Sequence, residues 1–425
     1  MREVRAWIAV IALNLPGNPV AAHEVAPAWV EAYQSSPADY DFEIPQVPEN
    51  LPEEVMKRFK ITPEMIERFK PRPPVAGTLR SRFAVSTGGS SMRIRLSNEE
   101  SDTPIVIRAA SIGLAEGSGF DAAGYLEKLT FGRSHSVTIP PHAAVLSDPT
   151  RLAVAPLSEV VVSVHVPEGL ALKPFGGAGM LTGEGNQTMA ERIEGGEMVV
   201  GRPVVSGASV LSDGKTKVIV AFGDSITDGN RVSPTELRGW PEQLNRRLAK
   251  RKGRTTYSVV NAGIGGNRVL KSGWGISALA RFDRDVARIA GVSHVILLEG
   301  INDIGNSGKT MAGEIPLLDE YDLIAGYKQI IARAHQRGMK VIVGTLLPFE
   351  GAQYYSPEKE EVRTLVNRWI RESGEPDAVI DFDLIARDTE NPSKLAPLFD
   401  SGDALHPGEA GYRAIGDAID LSLFD

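Results

Sequence analysis

The sequence predicts a two-part fold: an antiparallel, jelly-roll-like β-sandwich over residues 77–210, followed by an α/β domain with a parallel sheet over residues 211–425. Three observations predict it. Apolar and polar residues alternate with period two through the first part. Short β-branched runs then alternate with segments of helical period in the second. Glycine, serine, aspartate and proline punctuate both at strand-length intervals.

The elements follow in chain order. Arg2 and Arg5 precede the apolar stretch Ala6–Leu13, and Val20 and Ala22 follow as small residues, which is the order of a signal peptide cleaved after Ala22. That reading implies a secreted or periplasmic product; the alternative is an N-terminal helix packed on the body. Residues 23–76 are rich in proline and charge and read as a tether or wrapping segment, with one helical pattern around Glu53–Arg68. In the β part, "SMRIRLS" places Met92, Ile94 and Leu96 on one face, and "EVVVSVHVP" is a β-branched run bounded by turn residues. "RFAVS", "PIVIRAASIGL" and "SVTIP" are further short runs. Beyond "LSDGKTK", strands are expected at Val218–Phe222, Ser258–Val260, His294–Leu298, Val341–Gly344 and Ala378–Ile380. Helices are expected at Trp240–Lys250, Ile276–Ile289, Leu323–Arg337, Glu361–Arg371 and Gly408–Leu421.

Composition narrows the function classes. The net charge of −8 comes with no long basic run, which argues against a nucleic-acid partner held through phosphates. The absence of cysteine removes disulfides, thiolate zinc sites and cysteine nucleophiles. No segment approaches the roughly 20 apolar residues needed to span a bilayer. The oligomeric state is not legible.

Ligands of open α/β sheets bind beyond the carboxyl ends of the strands, so the residues that follow each apolar run carry the functional reading. "VIVAFGDSITDGN" brings Ser225 straight off the first strand, where it is either a helix cap or a nucleophile. "VVNAGIGGNRVL" follows the second strand; Gly265 or Gly266 there lets a backbone N–H approach a developing oxyanion. "VILLEGINDIG" ends the third strand at Asn302, whose side-chain amide suits the same task or a turn. "DSGDALHPGEAG" sets Asp403 three residues before His406 in one loop, so the carboxylate is able to orient the imidazole. The other histidines lie in strands, a helical pattern, the β part or at the presumed cleavage point. His406 is therefore the candidate base.

These four blocks, in this order, resemble those of the GDSL esterases and lipases, also called SGNH hydrolases. The resemblance covers about Lys217 to the C-terminus, and the whole chain looks like an exported subgroup with an N-terminal β domain, sharing "ALARFDRDV" and "LEGINDIG". It implies a flavodoxin-like domain in which Ser225 is the nucleophile, Asp403 and His406 complete the triad, and Ser225, Gly266 and Asn302 supply the oxyanion donors. The first block reads GDSI where the family name has GDSL. The implied reaction is hydrolysis of carboxylic esters through an acyl-enzyme, without metal or other cofactor. Short acyl or acetyl esters, acetylated polysaccharides, lysophospholipids and thioesters are all admitted substrates. Asn267, Arg268 and Trp274 are candidate substrate-binding residues, with Asn306–Glu320, Tyr354 and Tyr355 as further candidate walls. A metal hydrolase built on Asp403 and His406, and a carbohydrate-binding protein with a vestigial hydrolase domain, are the competing readings.

Overall fold

The computed structural model describes residues 26–38, 53–58, 73–172, 178–229, 239–310 and 313–424. The signal-peptide expectation, and the helical pattern beyond Arg58, lie outside the described residues.

Among the described residues, two larger antiparallel sheets and a two-stranded pair, Ile105–Ile107 with Val137–Ile139, form the first part, as the period-two pattern predicts. One has the order Ala28–Gln34, Val205–Ser212, Met92–Asn98, Ala143–Leu146. The other has six strands, in the order Glu197–Gly201, Ala178–Gly183, Val75–Ala84, Glu159–Leu170, Ala109–Leu114, Glu127–Lys128. Met92, Ile94 and Leu96 are fully buried and pair in register with Val210, Ala208 and Val205. Burial of each such side chain contributes roughly 1.5–3 kcal/mol, which fixes the face this strand presents to the core.

One expectation for the N-terminal segment needs correction. Residues 28–34, expected in a tether or wrapping segment without a strand, form a full strand antiparallel to Val205–Ser212. "AWVEAYQ" carries Val30 and Ala32 into the core, an alternation masked in the sequence by the neighbouring prolines. This strand also meets the α/β part. Ser258 Oγ donates to Glu31 O at 2.7 Å, Glu31 N to Ala290 O at 3.0 Å, and Gln34 Nε2 to Asp285 O at 2.9 Å.

The second part is a five-stranded parallel sheet in the order Thr256–Gly263, Thr216–Gly223, Val292–Leu298, Lys340–Gly344, Ala378–Ile380. In sequence terms the order is second, first, third, fourth, fifth, the doubly wound arrangement of flavodoxin type. Val218 to Phe222 are all completely buried, as expected of a strand covered on both faces. The flanking helices include Trp240–Ala249, Glu320–His335, Pro357–Glu372 and Glu409–Ala418. The pattern expected as one helix over Ile276–Ile289 is instead a short α-helix, Ala278–Phe282, that widens into a π-helical turn, Asp283–Ala287. Because the chain leaves the first strand to one side and later crosses to the other, the crevice beyond Gly223 and Leu298 is the topological switch point.

Candidate active site

The first strand ends in Gly223, where no other residue fits: a Cβ would lie 2.2 Å from Leu298 O and 2.3 Å from Thr227 Oγ1. That closeness lets the chain turn at once into the helix Ser225–Asp228. Asp224, rather than Ser225, is the N-cap, its carboxylate accepting from Ile226 N at 2.9 Å. Ser225 is thereby the first helical residue, and its hydroxyl is directed elsewhere: Ser225 Oγ lies 2.8 Å from His406 Nε2.

The loop that carries the histidine is wound around two aspartates. Asp400 Oδ1 accepts from Gly402 N and Ala404 N, and Ala404 takes a left-handed φ of 58°, uncommon for a residue with a Cβ. The turn brings Asp403 back under the imidazole. Asp403 Oδ2 lies 2.7 Å from His406 Nδ1, while its Oδ1 accepts from Leu405 N and His406 N at 3.1 and 2.8 Å. The helix that follows is tied to the serine by Tyr412 Oη, which donates to Ser225 O at 3.4 Å. Serine, imidazole and carboxylate thus form one hydrogen-bonded line, with Ser225 and His406 both buried and the carboxylate still partly exposed.

The glycine block supplies the next segment. Gly266 has φ +74°, and a Cβ there would lie 2.7 Å from Trp274 Cγ, so the indole ring lies against its backbone. Gly266 is therefore the glycine that this loop requires. Asn302 begins beyond the third strand, after Gly300 at φ 132°. Its Nδ2 donates to Asn267 O at 3.0 Å, and its Oδ1 accepts from Tyr354 Oη at 3.4 Å. The amide is thus held with a second N–H beyond the one given to Asn267.

Of the candidate substrate-binding residues, Trp274 lies against Gly266 and is half-buried. Arg268 is folded back onto its own loop, donating to Lys271 O and Ser272 O, and burial lowers its pKa. Asn267 is fully buried with both ends engaged: Nδ2 donates to Trp274 O at 2.7 Å and Ile276 O at 3.0 Å, and Oδ1 accepts from Arg281. Its side chain holds the glycine loop rather than a ligand. Tyr354 braces Asn302, whereas Tyr355 packs edge-on against Phe349.

Several residues of the site escaped the sequence reading. Arg281 is completely buried and donates to Asn267 Oδ1, Ala262 O, Gly223 O, Asp285 and Glu299 at 2.7–3.2 Å. One guanidinium therefore joins the carboxyl ends of the first two strands to the glycine loop and the third strand. Its Cζ also sits 4.2 Å above the Phe222 ring. The signal was available: Ala278, Arg281, Phe282, Asp285 and Val286 share one buried stripe at helical spacing, and a charged pair four apart on such a stripe announces a buried ion pair. Lys359 is likewise buried, its ammonium donating to Gly305 O, Tyr354 O and Lys309 O at 2.8, 2.9 and 3.3 Å. It steadies the loops on either side of Asn302.

Acids crowd Arg281. Burial, only partly opposed by hydrogen bonds and Arg281, pushes Asp224 up to about 7 and Glu299 up to about 8. Burial likewise raises Asp303 to about 6, although its carboxylate accepts from Val269 N and Leu270 N. Asp285 goes the other way: burial opposes its charge, but Arg284 and Arg281 overcome it and hold the carboxyl at about 2. Among the described residues, no group of three or more histidine or acidic side chains is arranged to hold a metal ion.

A serine, histidine and aspartate in line at the switch point of a parallel sheet define a class, the α/β domains with a serine-hydrolase-type relay. Residues 221–414 match the GDSL-like Lipase/Acylhydrolase family. Among solved structures, the chain is similar to an acetyl xylan esterase from Geobacillus stearothermophilus, at 23% identity over 48% of this chain and 92% of that one, with a TM-score of 0.37. It is also similar to a member of the lipolytic protein G-D-S-L family from Veillonella parvula (21% identity, 48% and 94% covered, TM-score 0.36). A GDSL-like lipase from Bacteroides thetaiotaomicron is a third (19%, 49% and 88%, 0.35). No curated protein matches the chain.

Proposed function

We propose that the protein is a serine ester hydrolase that cleaves short acyl or acetyl esters through an acyl-enzyme. The observation that carries this reading is the relay of Ser225 Oγ to His406 Nε2 at 2.8 Å and of His406 Nδ1 to Asp403 at 2.7 Å. His406 takes the serine proton as the oxygen attacks the carbonyl, and returns it to the leaving alcohol. Asp403 holds the imidazole with Nδ1 protonated and stabilises the imidazolium. The Ser225 and Gly266 N–H groups and the Asn302 amide receive the oxyanion, and water then attacks the acyl-enzyme by the same path.

The preference for small acyl groups rests on the rings beside the proposed donors: Trp274 lies against Gly266, and Tyr354 is bonded to Asn302. Both rings are thereby placed to serve as walls of an acyl pocket beside the donors. Export, read from residues 1–22, favours extracellular esters such as acetylated glycans. Among the described residues, no helix is long and apolar enough to cross a membrane.

Labelling with a fluorophosphonate, beside an ester panel from acetyl to palmitoyl and acetylated xylan, tests the reading. Labelling is expected in the wild type and absent in Ser225→Ala, with turnover falling steeply as the acyl chain lengthens. Turnover persisting in Ser225→Ala would remove the serine from the mechanism. Asn302→Ala should lower kcat by about 10²–10³ with little change in stability, the usual effect of losing one oxyanion donor.

A further inference from the structure

We propose that Arg202, which belongs to the β-sandwich part of the chain, is a positioning residue for the hydrolytic site. It holds the nucleophile helix and the glycine loop at a set separation; the inference rests on Ser225 being the nucleophile. Arg202 follows Glu197–Gly201 of the six-stranded sheet and precedes Val205–Ser212 of the four-stranded one. It therefore stands on the short link where the chain passes between the sheets, and residues 202–204 of that link are all buried. Pro203 restricts the backbone of Arg202 to extended conformations, which limits the directions its side chain is able to take.

The guanidinium reaches into the α/β part. Arg202 Nη1 and Nη2 donate to the two oxygens of Asp228 at 3.3 and 2.9 Å, and Nη2 also donates to Gly263 O at 3.3 Å. Both partners of the ion pair are buried, with side chains 6% and 4% exposed. Asp228 closes the helix that begins with Ser225. Gly263 ends the strand that leads into Gly266. The two segments are in direct backbone contact, since a Cβ on Gly263 would lie 2.2 Å from Asp228 N. One cation thus bonds both segments that carry the proposed nucleophile and oxyanion glycine.

The chemistry of the pair makes the arrangement stiff. A planar guanidinium gripping both oxygens of a carboxylate resists rotation as well as translation, which a lysine, a point charge on a flexible stem, does not. Loss of the fork leaves Asp228 buried without this partner and frees the helix to shift against the strand end. A displacement of about 1 Å at a reacting group is able to cost about 100-fold in rate. An arginine serving only to fasten the two parts together would change stability and leave the turnover of folded molecules alone.

The test uses the full chain as wild type, Arg202→Gln, Arg202→Lys, Asp228→Asn and the double variant Arg202→Gln/Asp228→Asn. Each is assayed on p-nitrophenyl acetate at a temperature where circular dichroism shows it folded, with active sites titrated by a fluorophosphonate. Arg202→Gln is expected to lower kcat by about tenfold to 100-fold, with KM changed by less than about twofold and serine labelling slowed in parallel. Arg202→Lys recovers part of the loss, and the double variant is no worse than the weaker single one. Unaltered kcat and labelling in folded Arg202→Gln, or a loss confined to KM, overturns the proposal. Should Arg202→Gln not fold, unaltered kcat in both Arg202→Lys and Asp228→Asn overturns it equally. Activity surviving in Ser225→Ala overturns the nucleophile reading and this inference with it. A dead Ser225→Ala beside an Arg202→Gln of unaltered kcat overturns this inference alone.

Discussion

Arg80 in the β-sandwich and Arg281 in the α/β domain are both fully buried, yet they meet the cost of burying a charge in different ways. Arg80 donates to Ser163 Oγ at 2.8 Å and to the carbonyls of Phe120, Ala190 and Glu191. Its partners are uncharged and lie on the neighbouring strand of its own sheet and on loops beside it. Arg281 bonds two carboxylates, Asp285 and Glu299, as well as the carbonyls at the ends of two strands. The first cation staples local structure; the second converges the ends of three strands on one point, close to the serine's turn. The difference teaches that two buried cations of the same type have different uses in this chain, Arg80 a local structural one and Arg281 a site-building one.

The largest expected effect breaks the comparison most directly. Arg281→Met should destabilise the protein by about 3–5 kcal/mol, because the buried acceptors Gly223 O, Ala262 O and Asn267 Oδ1 lose their donor and Asp285 is left with Arg284 alone, and it should also lower kcat in the molecules that stay folded. Urea unfolding together with active-site titration reads both quantities. Arg80→Met should cost about 3 kcal/mol through orphaned carbonyls while leaving kcat per titrated site unchanged. Equal kcat losses in the two variants would erase the distinction.

A smaller effect sharpens the electrostatic side. Glu299 is pushed up to about 8 and Asp224 to about 7, chiefly by burial, so in the folded state each holds its proton more tightly than in the unfolded chain. A raised carboxyl pKa contributes stability that is present at pH below the unfolded value and is lost as pH rises through the folded one. Stability should therefore decline between about pH 4.5 and pH 8, and Glu299→Gln should flatten that slope, measured as urea midpoints across the range. Arg80→Met should leave the slope unaltered, because the hydrogen bonds it removes involve no titrating partner. A slope unchanged in Glu299→Gln would place the titration elsewhere.

The smallest effect probes the histidine loop. Ala404 holds a left-handed φ of 58°, so Ala404→Gly exchanges backbone strain for a greater entropy loss on folding. The net gain should be about 0.5 kcal/mol, with kcat little changed if Asp400 and Asp403 alone suffice to shape the turn. Thermal unfolding beside an ester assay checks both.

Much of this site was legible before the fold. Ser225, Gly266, Asn302, Asp403 and His406 each follow a β-branched run or precede a helix, and such punctuation is local. The structure brings Ser225, His406 and Asp403 into one hydrogen-bonded line and shows why Gly266, rather than its neighbour, requires glycine. Asn267 misled, because an asparagine in a glycine loop looks the same in sequence whether its amide meets a ligand or, as here, Trp274 O, Ile276 O and Arg281. The strand at residues 28–34 was missed because its alternation is brief and set among prolines, and its partner lies nearly 180 positions away.

The sequence by itself determined which residues are candidates for the chemistry and in which half of the chain they lie, because residue type, period and turn signals are properties of a few neighbours. Only the tertiary structure decided the order of the parallel strands, the convergence of strand ends on Arg281, and the reach of Arg202 from one half to Asp228 in the other. Those depend on how distant segments close upon one another. A buried charge finds its distant partners through that closure, as Arg281 finds Glu299 and Arg202 finds Asp228, and no local pattern records those pairings.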